Sequence, residues 1–174
     1  MNIKPYIISL SLLFATAVFS APVNELFMAA VNGNTQRLES LLAQGKDVNA
    51  KTAAGRTALM GACYNGNLRN VKLLLTYGAD VNLADNKGVT ALMDAVVFGD
   101  EQIVMLLIAA GADVNAVDKQ NNTVLARARK NAFPNIIKIL EQLGAKESLE
   151  AETPDDAEQA ETAPEKQEDT KNEE

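Results

Sequence analysis

The chain has 174 residues, 47% of them apolar and 22% charged, and a formal net charge of −7. That length and apolar share suffice for one domain with its own core. It has no histidine and one cysteine, which removes the commonest general base and metal ligand and leaves no internal disulfide, so a catalytic reading is nearly closed.

Residues 1–20 place Lys4 ahead of an apolar run of 14 residues, 6–19, and then small residues. This is the pattern of a secretory signal peptide, with cleavage expected after Ser20, where Val18 and Ser20 precede the cut; Ala17, preceded by Ala15, is the alternative. A spanning helix needs about 20 apolar residues. The mature chain is therefore expected in the periplasm or secreted, without stable membrane insertion, and no cysteine follows the run to carry a lipid.

From residue 22 the chain repeats itself at a step of 33. Thr57 recurs as Thr90 and Thr123, Leu59 as Leu92 and Leu125, Ala62 as Ala95 and Ala128, and Gly78 as Gly111 and Gly144; one step back lie Leu26, Ala29 and Gly45. Four copies cover about 22–51, 52–84, 85–117 and 118–148, the repeat domain being 21–148. Each begins at a helix N-cap, Asn24, Thr57, Thr90 or Thr123, whose side-chain oxygen can accept an orphan backbone N–H. Gly33, Gly66 and Gly99 break the first helix, and Asn34, Asn67 and Asp100 cap a second one that carries Leu38, Leu41 and Leu42 or their equivalents. Gly45, Gly78, Gly111 and Gly144 close it at C-cap positions, and Asp47, Asp80 and Asp113 form the turn that follows. Two helices of about two turns each do not persist alone in water. They must stack, which predicts an all-α repeat array stabilised by its neighbour interfaces.

The second helix of repeat one, 34–44, alternates leucines with Thr35, Gln36, Arg37, Glu39 and Ser40, as suits an end repeat. Repeat four departs most: Asn121 replaces the loop glycine, Ala132 the inter-helix glycine, Phe133 takes the second cap position, and Pro134 opens the last helix, where proline is tolerated. Arg127, Arg129, Lys130 and Lys138 are expected at exposed positions of this closing cap. Residues 147–174 hold twelve acidic and two basic side chains, so the remainder is net +3. Residues 149–174 are expected to form a solubilising, disordered acidic tail; the alternative is an acidic arm that contacts a basic partner or folds back on Arg127, Arg129 and Lys130.

Chemistry finds little to use. Cys63 follows Ala62 in a tightly packed helix and reads as a packing residue, with a reactive thiol as the functional alternative. No glycine spacing cradles a phosphate, one aspartate per loop is too few for calcium, and no basic stripe with interleaved aromatics points to nucleic acid. No cofactor or metal is expected.

The step of 33, the box TALM at 57–60 and 90–93 and TVLA at 123–126, and the GADVN loop resemble the ankyrin repeats over about three quarters of the chain. The family's proline and histidine in that box are absent, which removes a hydrogen bond but keeps the threonine cap and the buried leucine. The resemblance implies an ankyrin solenoid of four helix-turn-helix repeats with loop or β-hairpin connections, acting as a monomeric, non-catalytic binder of a protein partner through its concave face. Carried over position by position, that face comprises Val31 and Asn32, Tyr64 and Asn65, Val97 and Phe98, and Lys130 and Asn131 on the first helices, with Arg56, Lys87, Val89 and Asn122 on the loops. Val31, Tyr64, Val97 and Phe98 are expected to be partly exposed and adjacent; the alternative is that Tyr64 and Phe98 fold down between repeats. The chain also resembles small exported bacterial ankyrin proteins, some of which support periplasmic redox enzymes such as catalase while others are immunity proteins against toxic effectors.

Overall fold

The computed structural model describes residues 24–147. The expected signal peptide, its cleavage site and the acidic segment 149–174 lie outside the described residues. Within them the order is α1 (Glu25–Val31), α2 (Thr35–Ala43), α3 (Ala58–Tyr64), α4 (Leu68–Thr76), α5 (Ala91–Phe98), α6 (Glu101–Ala109), α7 (Val124–Lys130) and α8 (Pro134–Gln142). The odd-numbered helices stack in one row and the even-numbered in another, each touching its own partner and the equivalent helix of the next repeat.

The local signals act as expected. Asn24, Thr57, Thr90 and Thr123 accept hydrogen bonds from the backbone N–H of Phe27, Met60, Met93 and Ala126, each satisfying one of the first-turn donors that a helix leaves unpaired. Every even-numbered helix ends in a pair of bonds through a glycine: in α6 the N–H of Gly111 reaches Ile108 O and that of Ala112 reaches Leu107 O. This Schellman arrangement requires a left-handed residue, and Gly111 has φ +91°. Repeat four keeps Gly144 at this turn, and at two other left-handed positions it does without glycine, Asn121 in the finger at φ 64° and Ala132 between its helices at φ 55°.

The core lies between the two rows. Leu38, Leu41, Leu59, Leu74, Leu92, Ile103, Leu107, Ile136 and Leu140 are fully buried, each worth about 1.5–3 kcal/mol relative to exposure. Cys63 is among them at 0% exposed, and burial pushes its thiol pKa well above the ordinary value, with Asp94 adding to the rise. Complete burial is what a packing role asks of this residue, and the thiolate is the reactive form of a cysteine.

The connections form fingers that stack on one another. Single antiparallel bridges, Ala84 with Thr90 and Val117 with Thr123, pin the fingers entering repeats three and four. Asn86 N donates to Ala54 O and Lys119 N to Lys87 O, joining each finger to the one before. On the opposite edge the asparagines of the DVN turns make a second ladder, since Asn49 Oδ1 accepts from Asp80 N, Asn82 Oδ1 from Asp113 N and Asn115 Oδ1 from Lys146 N, all at 2.9 Å.

Two expectations are corrected. Asn67 does not cap α4 with its side chain; its amide donates instead to Ala30 O and Val31 O of the preceding repeat. Arg127 is not an exposed surface residue, being partly buried and paired with Asp118. Arg129 does sit outside, and its place explains why the stack closes. It occupies the position of Ala30, Cys63 and Val96, all at 0% exposure beneath the next repeat, and its guanidinium pairs with Glu141 and Glu147 across the end face.

Candidate protein-binding groove

The fingers and the odd-numbered helices together form one face of the array. Its centre is built on Arg56, at the tip of the finger entering α3. The Arg56 N–H donates to the Thr52 hydroxyl at 3.1 Å, fixing the finger. Its guanidinium then reaches Asp94 on α5 at 2.6 Å and Asp85 on the next finger at 3.6 Å, while lying 5.8 Å from the centre of the Tyr64 ring. That is within the range of a cation–π contact.

Asp94 is only 3% exposed. Burial raises its pKa, the Arg56 charge and hydrogen bond pull it back, and the balance leaves it at about 6. Desolvation exceeds what one partly exposed arginine returns, a common outcome for buried ion pairs. Asp118, the second buried carboxylate, ends at the opposite extreme. Burial would raise it as well, but hydrogen bonds from the Asn122 side chain and backbone, from Arg127 and from Gln120 N outweigh that and hold it at about 2. Asp85 and Asp118 also shape their fingers, Asp85 by accepting from Lys87 N and Val89 N and Asp118 from Gln120 N and Asn122 N.

Between these groups lies a cleft of about 460 Å³ bounded by Arg56, Asp85, Lys87, Asp94, Gln120 and Arg127 among others. A second hollow of about 270 Å³, lined by Val97, Asn122, Lys130 and Asn131, shares Gln120 and Arg127 with it. The two are neighbours in one groove across repeats two to four.

The expected site residues do not all belong to this groove. Tyr64 is 54% exposed and stands at its edge under Arg56; Val97, Lys130, Lys87, Asn122 and Arg56 line it. Val31 is half-buried and packs on α3, since a Cβ added at Gly61 would lie 2.6 Å from it. The Asn65 amide donates to Val31 O at 2.9 Å, a latch between repeats. Phe98 is 49% exposed, yet one side of its ring covers Gly66, where a Cβ would meet it at 2.1 Å. It is a packing residue as much as a surface one. Val89 is a correction: only 8% exposed, it is part of the core and borders the cleft without offering a partner its side chain.

Sequence reasoning passed over Asp94, Asp85, Asp118 and Gln120. A signal existed for the first. Asp94 stands one step of 33 from Gly61 and from Arg127, so opposite charges occupy a position that is a glycine in repeat two, flanked on both sides by buried residues.

A stack of helix pairs with a groove formed by fingers and inner helices defines a repeat solenoid. The family described as ankyrin repeats, in three copies, matches residues 26–118. That is more than half of the chain, which therefore belongs to the ankyrin-repeat family, whose members are generally non-catalytic protein-interaction modules. Residues 118–147 repeat the same architecture beyond the matched segment. No curated protein matches the chain.

Proposed function

We propose that this chain is an exported, non-catalytic module that binds a protein partner through the groove of repeats two to four. Tyr64 carries the reading. An aromatic ring more than half exposed, held by a charged neighbour at the edge of a concave surface, leaves unburied the kind of residue that dominates interface energetics. Export rests on the charge and apolar pattern of residues 1–20, and no described helix is long and apolar enough to cross a membrane. The finer role, support of a periplasmic enzyme in stress defence, rests on the resemblance to small exported bacterial ankyrin proteins.

The test is recovery of the tagged full chain from the exported fraction together with whatever it retains. The expected result is a mature N-terminus at Ala21 and a retained protein that is lost with Tyr64→Ala. An N-terminus at Met1 in the soluble fraction would overturn the export reading, and a toxic effector in place of an enzyme would favour the immunity role.

A further inference from the structure

The charges of the groove are sorted by depth. On the fingers 51–57, 84–90 and 117–123 and on α3, α5 and α7, the acids are Asp85, Asp94 and Asp118, and none of them is exposed. Each is consumed by internal bonds to Arg56, Arg127 or the finger backbone. The exposed charges on the same elements are all basic, Lys51, Lys87, Lys119 and Lys130, with Arg129 on the end face and paired with Glu141 and Glu147. The exposed acids of repeats two to four lie on the even-numbered helices and the outer turns, as with Asp80, Glu101 and Asp113. The groove therefore presents a positive rim over buried negative charge, and field lines in a concave site focus on an incoming anion.

The chain supplies such an anion. Residues 148–174 carry eleven acidic and two basic side chains. The residue before them, Glu147, is tied to repeat four twice, its carbonyl accepting from the Thr123 hydroxyl at 3.1 Å and its carboxylate pairing with Arg129. Arg129 shares α7 with Arg127 and Lys130, which line the groove. The 27 residues that follow span up to about 90 Å when extended, whereas three inner helices side by side cover about 20 Å. Tethering holds the segment at an effective concentration in the millimolar range.

We propose that the acidic segment 148–174 docks in the groove of its own chain, across Lys87, Lys119 and Lys130, and so competes with an incoming partner. The competition rests on the binding role proposed above; the docking does not. The contact is electrostatic and exposed, so it weakens as salt shortens the Debye length from about 30 Å at 0.01 M to about 3 Å at 1 M.

The experiment uses the full mature chain with a nitroxide at Ala160→Cys, the native Cys63 being buried and shielded from the label. Amide signals are compared with the label oxidised and reduced. Docking predicts loss of signal at Lys87, Lys119, Gln120 and Lys130 but not at Lys72 or Lys138 on the outer helices, recovery at 1 M salt, and recovery in Lys87→Glu/Lys119→Glu/Lys130→Glu at low salt. Groove signals that stay intact at low salt would overturn the proposal, as would losses centred on the outer helices or losses that survive both salt and charge reversal. Failure here leaves the Tyr64 binding test untouched, so the two readings fall separately.

Discussion

Asp94 is a carboxylate at a position where repeat two has glycine, and its burial has a consequence for stability. Its folded pKa of about 6 lies above the ordinary aspartate value of about 3.9. Between those values the folded chain holds a proton that the unfolded chain has released, so this group's contribution is fully present below about pH 4 and is lost as pH rises through about 6. A rise of this size corresponds to about 2 kcal/mol, discounted for the solvent that reaches Arg56. Urea unfolding of the wild type and of Asp94→Asn across pH 4 to 7 should therefore diverge, the wild type losing stability relative to the variant as pH increases. Parallel profiles would show that Asp94 ionises in the fold as it does in the unfolded chain.

At the scale of the element, what could be read from the sequence was whatever is local. A threonine cap and the leucines at helical spacing act within one turn or one repeat, so Thr57, Thr90 and the core of α4 and α6 stand where the pattern puts them. Contacts between repeats were hidden, because their partners lie a full step away. Asn82 looks like a turn residue and is one, but it also accepts from Asp113 N and donates to Gly111 O. Asn70 sits at 1% exposure because it accepts from the Thr35 hydroxyl and donates to Ala30 O. The two kinds of glycine differ for the same reason. Gly111 and Gly88 both have positive φ, +91° and +81°, but a Cβ at Gly111 would meet nothing within 4 Å whereas one at Gly88 would lie 2.9 Å from Lys119 N on the next finger. Gly111→Ala should cost about 1 kcal/mol from its left-handed conformation alone, about 4 °C in the unfolding midpoint of a domain this size. Gly88→Ala should cost clearly more, because backbone must move. Equal losses in thermal unfolding would show that the fingers yield freely to one another.

For the whole molecule, stability is divided among neighbour interfaces, and the groove crosses them. Its inner helices lie about 8–10 Å apart, so Tyr64, Val97 and Lys130, at one position of three successive repeats, form a row that a partner can cover with an interface of about 800 Å² on this side. Within such a patch a few aromatic or arginine residues carry most of the energy, about 2 kcal/mol or more on truncation. Tyr64 and Phe98 separate here although both rings are about half exposed. Tyr64 is more than half exposed and lies against the Arg56 guanidinium, so Tyr64→Ala should weaken partner binding at least about tenfold, the equivalent of 1.4 kcal/mol, with little change in circular dichroism or unfolding midpoint. Phe98 covers the Gly66 backbone, so Phe98→Ala opens a gap between repeats two and three and should lower the midpoint as well. Lys72→Ala, exposed on the outer helix α4, should do neither. If Tyr64→Ala instead unfolds the array while the folded fraction binds normally, the ring belongs to the core and the partner must grip the finger tips around Arg56 and Lys87.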